Sequence, residues 1–356
     1  MSPLHSQYKG FREVAKLAGV STATVSRVAN RSALVAQSTQ RQVKEAARTL
    51  GIELDRKNKP RVMAFILSNR SMLHPFHSRI LEGAAAACAD GGWDMLFLMY
   101  RYHANLPWKN LHLPRPLQRR DMVRGLIVAG SNSPNLLDCL QHRGIPFVAL
   151  GNNLTGDNNQ RQFDAVFSDD IQGAHEMTRY LQTLRHRDIW FVGNTAEPWS
   201  RRCLQGYERA MREMGLACHA SSLDSNDPKE VGYLGTKLIF SRGEQATAIL
   251  CATDQIAQGV YKAATDLGLR IPQDISVAGC NDTLGPLLSP ALSSIREFPE
   301  QLGKKMVELL LRRIDNADTP PRQVTIPIEL VKRESCREFL PKGGRGEAQT
   351  IVAETT

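Results

Sequence analysis

The sequence predicts an α/β chain: a three-helix helix-turn-helix unit at the amino end, followed by a two-lobed core of parallel α/β sheets. Three observations carry that prediction. Positive charge is confined to the first 61 residues, which hold 12 Lys and Arg against 4 Asp and Glu, whereas the rest of the chain holds 33 against 32. Two apolar stripes of helical spacing meet at Gly19 inside that basic segment. From Val62 onward, continuous apolar runs of strand length alternate with helical stretches, as parallel sheets covered on both faces require.

Val14, Ala15, Leu17 and Ala18 put an apolar stripe on a first helix, and Val25, Val28 and Ala29 put one on a second. Gly19, which adopts positive φ without strain, ends the first, and Ser21 caps the second by accepting from its free N–H groups. A third helix carries Val43, Ala46, Ala47 and Leu50 at i, i+3, i+4 and i+7, with Ser38 or Thr39 at its start and Gly51 at its end. Three such helices bury one small core and leave the second free to enter the major groove of duplex DNA. Thr22 and Ala23 would lie at its exposed first turn, where a hydroxyl and methyl groups suit base edges. Arg27, one turn further on, would pair with guanine or clamp a phosphate. Lys16, Ser26, Asn30 and Arg31 hold the sugar-phosphate backbone in this reading, and Ser21 joins the DNA-binding set through its cap position. The alternative is a helix pair that binds protein; it leaves the confinement of the charge unexplained, which phosphate attraction accounts for.

Beyond this unit the expected strands are Val62 to Leu67, Asp94 to Met99, Gly125 to Ala129, Pro146 to Leu150, Ala165 to Phe167, Asp188 to Val192, Ala248 to Cys251 and Ile275 to Ala278. A helix is expected from Ile80 to Ala89. A chain of 356 residues is too long for one compact core, and this stretch suits two lobes. Ligands of open α/β proteins bind beyond the carboxyl ends of the strands, which places the expected site between the lobes. The run from Tyr100 to Arg120, with Pro107, Trp108, Pro114 and Pro116, reads as a surface loop. The tail 341–356, rich in Gly, Thr and Glu, reads as disordered.

Composition excludes other classes. No stretch approaches the uncharged apolar run that crosses a bilayer, and Met1 to Gly10 carries no apolar run of a secretory signal, so a cytoplasmic protein with no membrane role is expected. The seven cysteines, Cys88, Cys139, Cys203, Cys218, Cys251, Cys280 and Cys336, are scattered and without Cys-x-x-Cys spacing, which supports neither a disulfide framework nor a zinc site. No Gly-x-Gly-x-x-Gly or Gly-x-x-x-x-Gly-Lys loop follows a strand and no Gly-x-Ser-x-Gly elbow occurs, so no catalytic residue, metal ligand or cofactor is assigned.

The run Val14-Ala15, Ala18-Gly19-Val20-Ser21, Thr24-Val25-Ser26-Arg27-Val28, Asn30, then Val35 and Thr39, resembles the DNA-binding signature of the lac repressor (LacI/GalR) family of bacterial transcription regulators. Asp188 to Gly193 after His186-Arg187, then Gly206-Tyr207, Thr253-Asp254 and Asp274 to Asp282, resemble that family's effector-domain landmarks. They also resemble periplasmic sugar-binding proteins, which share the fold. The resemblance spans about residues 8 to 336. It implies a DNA-binding domain at 8–54, a linker at 55–61 and an effector and dimerisation core at 62–340. Within the core, one lobe comprises about 62–167 with 299–327, and the other 168–294 with 328–336. The ligand-binding residues it implies are His74, Phe76 and Asn152 or Asn153 from the first lobe, Arg201 or Arg202, Thr253, Asp254 and Asn281 from the second, and Glu297 on a crossing segment. Amides, carboxylates and guanidinium groups around an aromatic face match a sugar, with a nucleobase as the second choice. Each position also has a structural alternative: Asp254 as a helix cap, His74 as a satisfied loop residue, Phe76 as core.

Three departures from the family pattern stand out. Cys203 occupies the position of an effector-binding Arg, Asn281 replaces a frequent Asp, and the hinge helix that wedges a Leu into the minor groove is missing. In its place, Arg56, Lys57, Lys59 and Arg61 form a basic tether ending at Pro60-Arg61, with Leu54 the one spare aliphatic wedge. The expected protein is a homodimeric repressor that binds a double-stranded DNA operator under control of a small effector, a sugar. A periplasmic-type sugar-binding protein without a DNA role is the alternative, opposed by the helix-turn-helix.

Overall fold

The computed structural model describes residues 11–29, 35–50, 52, 61–70, 74–119, 122–156 and 162–340. It divides into two compact units, Met1–Arg61 and Val62–Thr356.

In the amino-terminal unit α1 covers residues 11–17, α2 Thr22–Ala29 and α3 Gln37–Thr49. Val14 and Ala15, Val25, Val28 and Ala29, and Val43, Ala46 and Ala47 form one buried core, with Phe11, Ala18, Val20, Val35 and Ile52 packed against it. Gly19 sits at φ +63° in the open, so the backbone turn and not a lack of space requires glycine there. The Ser21 hydroxyl accepts from the Thr24 N–H at 3.1 Å and caps α2. Two stripe residues do not reach the core. Leu17 is 52% exposed, because the buried face of α1 is set by Val14, Ala15 and Ala18 and Leu17 projects roughly 110° around the axis from their mean direction. Leu50 falls on the C-cap of α3 and is exposed, and Ile52 packs on the core in its place. Nor do Ser38 or Thr39 cap α3: its N-cap is Ala36, and the Gln40 side chain donates to the Val35 carbonyl at 2.9 Å. Gly51, the linker positions 53–60 and the tail 341–356 lie outside the described residues.

The strands of the second unit are β1 Val62–Ser68, β2 Asp94–Tyr100, β3 Gly125–Gly130, β4 Phe147–Leu150, β5 Asp164–Ser168, β6 Ile189–Gly193, β7 His219–Ser222, β8 Ala248–Cys251, β9 Ser276–Asn281, β10 Ser293–Arg296, β11 Gln323–Ile326 and β12 Glu329–Val331. Among the helices are α4 Pro75–Asp90, α5 Arg115–Gln118, α6 Pro134–His142, α7 Asp170–Thr183, α8 Pro198–Glu213, α9 Pro228–Ser241, α10 Asp254–Asp266 and α11 Pro299–Asp315. One lobe holds a sheet in the order β11-β5-β4-β3-β1-β2, parallel throughout; the other holds β12-β10-β9-β8-β6-β7, parallel except for the β10–β12 pair. The chain therefore passes between the lobes three times: after β5, after β10, and between β11 and β12. The central strands are buried on both faces, which is why they read as unbroken apolar runs. Helices α4 and α11 touch through Gly83 and Gly303, where an added Cβ would overlap the backbone carbonyls of Glu300 and Ile80. No described helix is long and apolar enough to cross a membrane.

The run after β2 is not the surface loop that its prolines suggested. Leu111, Leu113 and Leu117 are buried against Ala64, Ile66 and Leu126 of the first sheet, and Trp108 stacks on His142 of α6 with ring centroids 4.0 Å apart. The Asn135 amide donates to the carbonyls of His103 and Leu106 at 3.0 and 2.8 Å, which satisfies loop backbone that would otherwise be orphaned. The prolines stiffen a covering layer whose leucines point inward. Replacing Leu113 by Ala is expected to cost about 2–4 kcal/mol, read as a lowered urea midpoint at unchanged slope. A change within about 0.5 kcal/mol, the range of a surface position, would contradict the buried assignment.

Candidate functional site

The described residues of the second unit enclose a cavity of about 540 Å³, counted with its open mouth, and its walls come from positions just beyond strand ends. Arg70 follows β1, with His74, Phe76 and His77 at the start of α4; Asn152 and Asn153 follow β4; Asp170 follows β5. From the other lobe Trp199 follows β6, Pro228 β7, Ala252 and Thr253 β8; Asn281 closes β9, Glu297 follows β10, and Cys203 projects from α8. Parallel strands ending at one level converge their following loops, so the ends of eight strands reach one small volume. Toward solvent the cleft widens between Arg101, Tyr102 and His103 of the leucine-anchored run and Asn194, Glu197, Asp227 and Lys229 of the second lobe. Backbone strain collects at the same place: Asn281 at φ +82° closes β9, Asp282 at +48° follows it, and Phe298 at +49° lies just past β10.

Burial sets the charge states. The Glu297 carboxyl is pushed up to about 8, by desolvation first and by the nearby Asp170 second, against the Ser168 hydroxyl that donates to it at 2.6 Å. At neutral pH it carries a proton. Asp170 is also raised by burial, but the Arg202 guanidinium engages it with two nitrogens, Nε at 2.8 and 3.0 Å from Oδ1 and Oδ2 and Nη2 at 2.7 Å from Oδ1, a charge-assisted fork. His74 is lowered to about 4 by burial and by Arg70, and His77 is lowered well below the usual range for the same reasons, so both imidazoles are neutral. His74 Nδ1 accepts from the Phe76 N–H at 3.1 Å and caps α4. The Asn153 amide donates to His77 Nε2 at 2.9 Å, which puts the ring proton on Nδ1, a buried atom without a partner among the described residues. Both ends of the Asn152 amide are taken by Ser168 backbone, its Nδ2 donating to the carbonyl and its Oδ1 accepting from the N–H, each at 2.9 Å.

Seven expected ligand positions line the cavity: His74, Phe76, Asn152, Asn153, Thr253, Asn281 and Glu297. Three do not. Arg201 is exposed and donates to the Thr195 carbonyl at 3.0 Å, because it faces away from α8's buried side. Arg202 lies behind the wall, engaged with Asp170 and stacked over the Phe167 ring. Asp254 is fully buried beneath the wall, accepting from Ser294 Oγ at 2.6 Å and from the Leu284 N–H at 2.9 Å; Thr253, not Asp254, caps α10, accepting from the Ile256 N–H. The residues missed were Arg70, His77, Asp170 and Trp199. An Arg two positions past an apolar strand and a Trp opening the helix after β6 were the available signals. On α2, Thr22, Ala23 and Arg27 are exposed together, with Ser21 beside them and Lys16 exposed on α1, while Ser26 is half-buried. Asn30, Arg31, Arg56 and Lys57 lie outside the described residues.

A helix-turn-helix unit preceding a clamshell with a lined cleft defines a ligand-controlled DNA-binding regulator. Residues 11–52 match the model of the bacterial regulatory proteins of the lacI family, and residues 178–336 match a periplasmic binding protein-like domain. The HTH-type transcriptional repressor PurR of Edwardsiella ictaluri (strain 93-146) is 31% identical over 338 residues, covering 91% of this chain and 96% of that protein. PurR of Yersinia pestis bv. Antiqua (strain Antiqua) is 30% identical over 336 residues at the same coverage. The chain belongs to the lacI family of transcription regulators. Among solved structures, the transcriptional regulator CelR in complex with cellobiose superposes with a TM-score of 0.66 at 24% identity, covering 91% of this chain and 99% of that one. The lac repressor dimer bound to operator and the anti-inducer ONPF gives 0.65 at 23%, covering 91% and 98%, and both share the fold.

The carboxyl at Glu297 makes stability depend on pH with an unusual sign. Between its ordinary value of 4.5 and about 8 the native protein holds a proton that the unfolded chain has released, so stability falls as pH rises through that window and levels above it. Thermal unfolding of Glu297→Gln is expected to lose most of the decline between pH 6 and 8, while Asp254, raised to about 6, leaves a smaller decline below that range. An unchanged wild-type slope in the variant would show that Glu297 is ionised in the folded protein.

Proposed function

We propose that the chain is a homodimeric transcriptional repressor whose α2 reads an operator half-site and whose cleft takes a sugar that changes operator affinity. The observation that carries the DNA-reading role is the division of α2 into two faces. Val25, Val28 and Ala29 are buried in the small core, Ala23 and Arg27 are exposed on the opposite side, and Thr22 is exposed at the first turn of the helix. A helix anchored this way enters the major groove without disturbing its own core. Two copies related by a twofold axis would present two such helices to a palindromic site, which one small unit alone would bind weakly. Lys16, Ser21 and Ser26, with Asn30, Arg31, Arg56 and Lys57, complete the proposed DNA contacts. The linker 55–61 would track phosphates through its basic residues, without the leucine wedge that kinks the duplex.

His74, Phe76, Asn153, Thr253, Asn281 and Glu297 would meet the effector. The polyol character of a sugar suits them: paired amide and hydroxyl groups for its hydroxyls, and Phe76 and Trp199 for a C–H face. The PurR relatives are repressors and CelR was solved in complex with cellobiose, which supports the same reading. No catalytic role is proposed, and the setting in which such a regulator meets its operator is the cytoplasm.

Selection of binding sites from random duplexes should return a palindromic sequence. Arg27→Ala and Thr22→Ala are each expected to weaken the selected site by about 1–3 kcal/mol while binding to unrelated duplex changes far less. Equal loss on both kinds of DNA would assign these side chains to phosphate contact, and selection of no sequence would overturn the repressor reading.

A further inference from the structure

Counted group by group, the charged side chains around the cavity leave one cation poorly paired. Asp170 is neutralised by the forked Arg202, Glu297 keeps its proton, and His74 and His77 are neutral. What remains is Arg70. Its Nε is buried without a hydrogen-bond partner among the described residues, and its ion-pair partner among them is Glu197, a single long contact at 3.4 Å from a carboxylate that also accepts from Ser131 Oγ at 3.1 Å. Burial lowers the Arg70 guanidinium from its usual value by more than Glu197 restores. A guanidinium has five donors and no acceptor, and one held out of water with its Nε–H unspent is under-compensated both as a charge and as a donor set. The second unspent donor is the His77 Nδ1–H, also buried and also lining the cavity. Arg70 borders the inner cavity and the wider mouth alike, so an acceptor there would sit where the two meet.

We infer that the effector is an acidic sugar, a polyhydroxyl molecule bearing a carboxylate or phosphate, and that Arg70 receives the anionic group. The inference rests on the sugar reading of the cleft and names the class of sugar. The anionic oxygens take the Nε–H and one Nη–H of Arg70 as a fork, a geometry that a neutral hydroxyl cannot match. Glu197 is a competitor for the same guanidinium. It belongs to the second lobe, while Arg70 and Ser131 belong to the first, so the ligand's arrival would loosen one interlobe contact at the mouth. Cys203 leaves the opposite wall without a guanidinium, and the cation of this site is supplied from the first lobe instead.

The test is calorimetric titration of the full-length protein at pH 7 with matched sets of glucose, gluconate, glucuronate and glucose 6-phosphate, the corresponding galactose and ribose sets, and succinate and inorganic phosphate. At least one sugar acid or sugar phosphate should bind tenfold or more tightly than its neutral parent, and the comparison of carboxylates with phosphates identifies the anionic group. Arg70→Gln should erase that preference, and Arg70→Lys, which keeps the charge without the fork, should retain part of it; matching melting curves of the apo proteins establish that both variants fold. Neutral sugars binding as tightly as their acids, or a preference that survives Arg70→Gln, would overturn the inference and leave the sugar reading standing. Succinate or phosphate binding as tightly as any sugar acid would instead overturn the sugar reading while keeping Arg70 as the anion receptor, and absence of binding across the whole panel would count against both.

Discussion

One buried hydrogen bond, from the Ser168 hydroxyl to the Glu297 carboxyl at 2.6 Å, ties together two of the three places where the chain passes from lobe to lobe. Ser168 ends β5 and Glu297 follows β10, and Asn152 clamps the Ser168 backbone from a third segment with two further bonds. The cluster lies at the floor of the cleft, where water is excluded, and there a carboxylate would be costly to ionise. Keeping the proton on Glu297 leaves the floor uncharged. The walls can then be set by dipoles, aromatic rings and the one under-compensated guanidinium. A ligand that fills the cleft would therefore touch two of the segments that join the lobes.

Much of the architecture was legible because strands buried on both faces must be apolar along their whole length. β1, β3, β4 and β8 could be read directly for that reason. β7 and β10 could not: His-Ala-Ser-Ser and Ser-Ser-Ile-Arg carry polar groups that bond to neighbouring segments, as Ser294 does to Asp254 and Ser293 to the Arg333 N–H. The leucine-anchored run after β2 was misread for a related reason. Its prolines are local signals that mark irregular backbone, whereas the inward direction of Leu111, Leu113 and Leu117 is a tertiary fact.

The cleft was legible to the extent that it follows strand ends. Positions placed at a strand end or at the start of the following helix, from His74 and Asn153 to Asn281, line the cavity with the exception of Asp254, whereas Arg201 and Arg202 lie further into α8, where rotation about the helix axis decides which side chain faces inward. That rotation brings Cys203 and Trp199 to the cavity and turns the arginines aside. Asp254 illustrates the other limit: a motif locates a residue in the chain, but its partners Leu284 and Ser294 arrive from 30 and 40 positions away and draw the carboxylate into the wall.

The amino-terminal unit and the clamshell divide the labour between long-range and short-range forces. Twelve cationic side chains in the first 61 residues would supply attraction to a polyanion that acts across a Debye length and fades with salt, while the exposed residues of α2 would supply contacts that depend on sequence. The nearly neutral body needs neither, since its selectivity comes from a desolvated cavity. Coupling between the two requires that a cleft ligand favour one arrangement of the lobes and thereby alter DNA affinity. The decisive measurement is operator affinity by fluorescence anisotropy at fixed salt while a cleft ligand is titrated. A change of roughly fivefold or more, saturating at the ligand's own dissociation constant, is the predicted result. An operator affinity that stays constant with the cleft fully occupied would contradict it.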